Sequence, residues 1–234
     1  MIKYIFIFLS GAGLLACSSV NTISVDAKTT AVTDEYTVSS AIDSIVKPYQ
    51  EELNSEMNEV IEQAEKDLVS GRPNGSLNNW ATDLVLVSQT RNVRLSIPVM
   101  VLLNFGGLRN SINQGDVTIG DIYKVMPFDN EIVWAELPIS ALKDIEAYLI
   151  NSGGEPIAGA TLQNGSLTLN SENSQAETFL VITSDYLLNG GDKMTFFEKR
   201  VSDNSTGVLL RDAMISEAKS QGTLIWSEEE RIKL

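Results

Sequence analysis

Histidine is absent from all 234 residues. Imidazole is the commonest ligand of catalytic zinc and the commonest general base near neutral pH. Its absence excludes a Ser-His-Asp triad and a histidine-rich dinuclear metal centre from this stretch of chain. Basic residues are also scarce, with 17 Lys and Arg against 31 Asp and Glu and a net charge of -14. Binding to a polyanion needs clustered cations that release counterions. No basic stripe is visible, so a nucleic-acid partner is excluded. A small neutral or anionic ligand is still allowed, because a few well-placed arginines suffice for it. There is a single cysteine, Cys17, which leaves no intrachain disulfide. Carboxylates are plentiful, but Asp116, Asp121 and Asp129 sit where turns and a helix start need caps, so no metal site is expected from them.

What is present begins with the N-terminus. "MIKYIFIFLSGAGLLACSS" places Lys3 before an apolar stretch, Tyr4 to Leu15, that is too short to span a bilayer. It ends in Leu14-Leu15-Ala16-Cys17, the layout of a secretory signal peptide with a lipobox-like finish. The expectation is a signal peptide over residues 1–16, lipidation at Cys17, and a Ser/Thr/Asn-rich stalk over 17–39. This predicts a lipid-anchored protein of the bacterial cell envelope. Residues 40–234 then form one domain, a length that matches a single hydrophobic core.

Within that domain Ile42, Ile45, Val46, Tyr49 and Leu53 recur at helical steps from Ala41, with Pro48 as a kink point. The state of 57–69, helix or strand, is open. "SGRPNG" (70–75) is a loop. "SLNNWATDLVLVSQ" starts at a serine and carries Leu77, Trp80, Ala81, Leu84 and Val87 at helical spacing. Residues 95–103 read as a buried strand, and a short helix is expected from Thr118 after a loop. Residues 131–137 read as a strand and 140–150 as a helix with Ser140 as N-cap and Gly153-Gly154 beyond its end. Strands are expected at 165–169 and 178–183, a mostly helical segment at 204–221, a last strand at 223–226, and a solvated end at "SEEERIKL". Trp80 and Trp134 read as core. Helices and strands mix without strict alternation, which gives an α+β fold, layered α/β, and not a doubly wound sheet.

The chemistry-bearing residues gather in four segments. "SLNNWATD" (76–83), "NFGGLR" (104–109), "GDVTIGDIYKVMPFDN" (115–130) and "YLLNGGD" (186–192) occur in this order. An apolar run that ends in an amide, two glycines and an arginine is more than a turn requires. Together the four segments resemble the C-terminal, substrate-recognition domain of the 5'-nucleotidase family over about residues 40 to 222.

The resemblance implies roles position by position. Asn104 supplies an amide to a nucleobase and Arg109 a guanidinium to the ligand. Phe128 and Tyr186 form the two faces of a base clamp, and Asp192 holds ribose hydroxyls. Such a set suits its ligand: aromatic stacking contributes about 1–3 kcal/mol per base, an amide both donates and accepts along one edge, and a carboxylate accepts two hydroxyls. Gly106, Gly107, Gly190 and Gly191 let backbone approach a ligand closely.

The chain departs from the family pattern at Phe105 and Asp129, where the family has glycine. It also departs at Lys193-Met194, Asn74 and Asn78, and at Pro73, where an arginine is expected. Arg72 is the neighbouring substitute for that arginine. In the family, catalysis belongs to a metallophosphoesterase domain with two divalent ions. The expected ligand is therefore a nucleoside or nucleotide, with no cofactor held by this chain. The expected partner is a separate metallophosphoesterase chain, working with this one in nucleotide catabolism. The alternative is a non-catalytic lipoprotein that captures nucleosides.

Overall fold

A computed structural model describes residues 25–31, 33, 39–173 and 175–234. The expected signal segment, Cys17 and most of the stalk lie outside the described residues. The chain divides into two units, residues 1–45 and 46–234. Helix α1 (Ser40–Met57) has the predicted amphipathic spacing and contains Pro48, yet none of its residues is buried. Its apolar side chains, Ile42, Ile45, Val46, Tyr49 and Leu53, are all exposed.

The ambiguous stretch after α1 is a strand, β1 (Val60–Ala64), paired antiparallel with β3 (Gly115–Thr118). Between them run α2 (Ser76–Thr90) and β2 (Val99–Leu102). Helix α3 (Ile119–Val125) follows β3 directly. It starts on a capping box in which the Thr118 hydroxyl accepts from the Asp121 N–H and the Asp121 carboxylate accepts from the Thr118 N–H at 3.0 Å. Then come β4 (Glu131–Pro138), α4 (Leu142–Ser152), β5 (Ile157–Ala158), the hairpin β6 (Ala160–Gln163) and β7 (Ser166–Leu169), β8 (Thr178–Ser184), the one-turn α5 (Asp185–Leu188), β9 (Ser202–Leu209) and α6 (Leu210–Gln221).

The central sheet has the order β5-β2-β8-β4-β9. Its side chains alternate between two cores, as the period of a strand requires. Val101, Ile182 and Ile132 face one core with Trp80, Leu84 and Met214; Met100, Val133 and Val181 face the other with Ile145, Leu149 and Phe197. Helices and a hairpin therefore cover both faces of a mixed sheet, which is the layered α+β class expected.

Several boundaries differ from the sequence reading. The predicted strand 95–103 is shorter, because Pro98 has no N–H for the ladder and serves only as an acceptor, from Leu180 N. Ser140 is not an N-cap; a 3-10 turn at Ile139–Ala141 leads into α4 and Ala141 holds the cap position. Residues 204–209 belong to strand β9, not to a helix, and pair with β4 at the sheet edge. Residues 223–226 form no strand.

The charged end is solvated only in part: Glu228, Glu229 and Glu230 are exposed. Arg231 and Ile232 are buried. The Arg231 guanidinium donates to both Asp83 carboxylate oxygens at 2.8 Å and to the Ile157 carbonyl at 2.8 Å. Asn74 closes the segment by donating to the Ile232 carbonyl (2.8 Å) and accepting its N–H (3.0 Å).

Candidate functional site

Topology brings three distant segments together. Strands β2 and β8 are parallel neighbours, with Val101 opposite Ile182. The loops that leave their C-terminal ends, beginning at Leu103 and at Asp185, therefore emerge on the same side of the sheet. Strand β4 runs antiparallel to β8, with Ile132 opposite Ser184, so the segment entering β4, Phe128 to Asn130, arrives at that same end. Ligand sites in open sheets form at such strand ends.

A cavity of about 330 Å³ lies there, lined by Asn104, Gly106, Gly107, Arg109, Phe128, Asn130, Tyr186 and Asp192. This volume is in the range of small-molecule sites. Phe128 and Tyr186, far apart in sequence, both line it and remain 41% and 47% exposed. Neither ring is sequestered in a core, so both are available to a ligand.

The polar groups are already ordered. The Asn104 side-chain amide donates to Asp192 Oδ2 at 2.6 Å, and the Tyr186 hydroxyl donates to Asp192 Oδ1 at 2.9 Å. The Asp192 carboxylate thus joins the amide from one loop to the ring from another. Donating this bond raises the pKa of the Tyr186 hydroxyl, since the carboxylate favours its protonated form. Asp192 itself has φ +50°, in the left-handed region. Tyr148 on α4 supports this conformation by donating its hydroxyl to the Asp192 carbonyl at 3.0 Å. Burial, followed by the nearby Glu155 and Asp192 carboxylates, pushes Tyr148 up to about 12, so it stays a donor.

The jaws are tied from behind. Asp185 Oδ1 accepts from the Glu131 N–H at 3.1 Å and from the Tyr186 N–H at 2.8 Å, and so links the segment after Asn130 to the turn that carries Tyr186. Glu155, only 2% exposed, accepts the Phe105 N–H at 2.6 Å and fixes the 3-10 turn Phe105–Gly107. Burial raises the Glu155 pKa, opposed by that N–H and by Arg72.

Gly190 and Gly191 do not line the cavity, and seven of the ten residues expected at a ligand thus meet in it: Asn104, Gly106, Gly107, Arg109, Phe128, Tyr186 and Asp192. Arg72 is not among them. Its guanidinium pairs with buried Glu155 and lies 4.8 Å from the centroid of the Phe105 ring. The reason is local: Phe105 gives the cation a ring to cover, and Glu155 gives it a counter-charge.

Gly107 and Gly191 also accommodate neighbouring side chains. A Cβ on Gly191 would fall 2.5 Å from Tyr186 Cε1, and one on Gly107 would fall 2.7 Å from Asn104 Oδ1. These positions make room for the site's own side chains. Asn130 lines the cavity but carries no signal beyond its place in the "PFDN" turn. Glu155, Tyr148 and Asp185 are legible only through tertiary contacts. Among the described residues no cluster of three or more His, Cys, Asp or Glu could hold a metal ion, and no helix is long and apolar enough to cross a membrane.

A mixed sheet with an aromatic, amide and carboxylate cavity at its strand ends is the architecture of the C-terminal domain of 5'-nucleotidase-like proteins. Residues 67–195, more than half of the chain, match the family described as NAD nucleotidase, C-terminal domain, and the chain belongs to that family. The matched span contains every residue that lines the cavity. Over 165 residues the chain is 26% identical to a 5'-nucleotidase of Vibrio parahaemolyticus, covering 70% of this chain and 29% of that protein. In structure it is similar to a 5'-nucleotidase precursor from Thermus thermophilus, with a TM-score of 0.66, 25% identity, and coverage of 82% of this chain and 42% of the other. The NAD nucleotidase of Haemophilus influenzae shares the fold with a TM-score of 0.60 at 16% identity, over 83% of this chain and 41% of that one. The chain spans less than half the length of each of these proteins.

Proposed function

We propose that this domain recognises a nucleoside or nucleotide and presents it to a metallophosphoesterase carried on a separate chain. The observation that carries the reading is the convergence of Phe128, Tyr186, Asn104, Arg109 and Asp192 on one cavity. The base enters between the exposed rings of Phe128 and Tyr186. Asn104 and Asn130 meet its edge with groups that both donate and accept. The ribose diol replaces the Asn104 and Tyr186 donors now on Asp192 with its own two hydroxyls. Among the described residues the Arg109 guanidinium makes one hydrogen bond, from Nη1 to the Gly106 carbonyl at 3.3 Å, and keeps its other donors for an anionic substituent. The site binds and orients; bond cleavage falls to the partner with its two divalent ions. Lipidation at Cys17 places the pair at the bacterial envelope for nucleotide catabolism.

A second reading is favoured by one observation. Arg72, the other cation expected near the ligand, is committed to Glu155. A cavity with one lining arginine suits an uncharged nucleoside as well as a nucleotide. In this reading the domain is a free-standing, nucleoside-capturing lipoprotein.

Calorimetric titration of the purified chain with adenosine and AMP tests both. Saturable binding is expected, weakened at least tenfold by Phe128→Ala, with no phosphate released from AMP. Absence of saturable binding overturns both readings, and unaided AMP hydrolysis overturns the division of labour. Recovery of a metallophosphoesterase with the chain from its native membrane selects the first reading over the second.

A further inference from the structure

The "PFDN" turn carries an aspartate, Asp129, and the structure shows what this aspartate meets. Asp129 points outward, its side chain 76% exposed, yet its Oδ1 lies 2.6 Å from Arg211 Nη2. Arg211 is the second residue of α6 and its side chain is only 7% exposed. Its Nη1 also donates to the Phe128 carbonyl at 3.4 Å, and its guanidinium covers the Tyr123 ring at 4.1 Å from the centroid. Tyr123 belongs to α3, the helix that leads into the turn. Next to it the Leu210 N–H donates to the Asn130 carbonyl at 2.8 Å. The two residues that open α6 therefore back the whole turn, at Phe128, Asp129 and Asn130, and two of those three line the cavity.

A buried guanidinium is costly to desolvate and is retained where it fixes geometry. Four groups face this one: the Asp212 carboxylate on α6, 3.9 Å from Nε, and a carboxylate, a carbonyl and an aromatic face. The last three, at the shorter distances, belong to the segment that aims the Phe128 ring. From this geometry we infer that Arg211 is a positioning residue for the Phe128 jaw, acting through Asp129 and the Phe128 carbonyl. The inference rests on the nucleoside-binding reading for its effect on affinity, though not for its effect on the turn.

The experiment has two arms. In the first, hydrogen–deuterium exchange is followed in residues 126–131 of the unliganded chain, comparing wild type with Arg211→Met and Asp129→Ala. Exchange in the turn rises several-fold in both variants while the β4 and β8 core is unchanged. Unchanged exchange at the turn overturns the inference whatever the ligand does. If Arg211→Met fails to fold, Asp129→Ala decides this arm, because its side chain is exposed and its loss leaves the cores intact.

In the second arm the folded variants are titrated with adenosine and with ribose 5-phosphate. Adenosine affinity falls about tenfold, in the range that stacking supplies, and ribose 5-phosphate affinity is unchanged. Combining Arg211→Met with Phe128→Ala adds nothing to the loss from Phe128→Ala alone. Equal weakening of both ligands, or full additivity of the two substitutions, overturns the inference. If wild type binds no adenosine, the functional reading fails while the exchange arm still decides the role of Arg211.

Discussion

Asp192 carries the densest chemistry in the cavity: left-handed backbone, two donors on its carboxylate and a third on its carbonyl. Asparagine tolerates left-handed backbone better than most residues with a side chain. Asp192→Asn therefore keeps the turn but converts one acceptor oxygen into a donor that faces Asn104 or Tyr186. The fold should persist, with a melting temperature within a few degrees of wild type. Adenosine affinity should fall by roughly tenfold, since a charged hydrogen bond contributes about 1.5–3 kcal/mol. Calorimetry beside a thermal melt checks both, and wild-type affinity in the variant would remove Asp192 from the sugar site. At this scale the sequence is legible where a residue carries its own signal, as Asn104, Arg109 and Asp192 do beside their glycines. It is silent where a side chain acts across the fold. Glu155 holds Phe105 from 50 positions away and Tyr148 holds Asp192 from 44, and no local pattern marks either.

Elements were legible in proportion to the strength of their period. Helix α2 and strands β4 and β8 carry clear apolar repeats and lie where those repeats put them. Strand β9, "SDNSTGVL", has no buried residue, because it is a sheet edge held by backbone bonds to β4. Its polarity hid it, as the charge of the C-terminal segment hid a docked strap. That strap, residues 227–234, is held by buried Ile232, by backbone bonds to Leu162, by the Asn74 and Asn79 amides, and by one buried cation. Arg231 satisfies Asp83 at two oxygens and also donates to Thr82 Oγ1 at 3.2 Å. Removing one partner of a buried pair leaves the other uncompensated, at a cost of about 3–5 kcal/mol. Asp83 is one-third exposed, so the lower end applies. Arg231→Ala should lower unfolding stability by about 3 kcal/mol in a urea titration, with the strap becoming protease-sensitive. A change under about 1 kcal/mol, the size of an ordinary surface pair, would mean that the Arg231–Asp83 pair contributes little to holding the strap.

For the whole molecule, pH acts through the few carboxylates that are buried. Several buried charges have partners: Arg231 with Asp83, Arg211 with Asp129, Glu155 with Arg72. Glu62 on β1 differs. It is 3% exposed and neither carboxyl oxygen makes a hydrogen bond of good geometry. Burial lifts its pKa from 4.5 to about 7, and the neighbouring Gly222 N–H offsets this only partly. Between pH 4.5 and about 7 the folded chain therefore holds a proton that the unfolded chain has released, so stability falls as pH rises through this window. The full shift corresponds to on the order of 3 kcal/mol at about 1.36 kcal/mol per unit. Glu155, raised in the same direction, adds to the trend. The net charge of -14 at pH 7 adds self-repulsion, which eases toward the acid side. Urea unfolding at about pH 5.5, 6.5 and 7.5 should thus show greater stability at the acid end of the series than at the alkaline end. Glu62→Gln, which keeps the shape without the charge, should flatten most of that difference and stabilise the chain at the alkaline end. A variant as pH-dependent as wild type would shift the cause from Glu62 to the distributed charge.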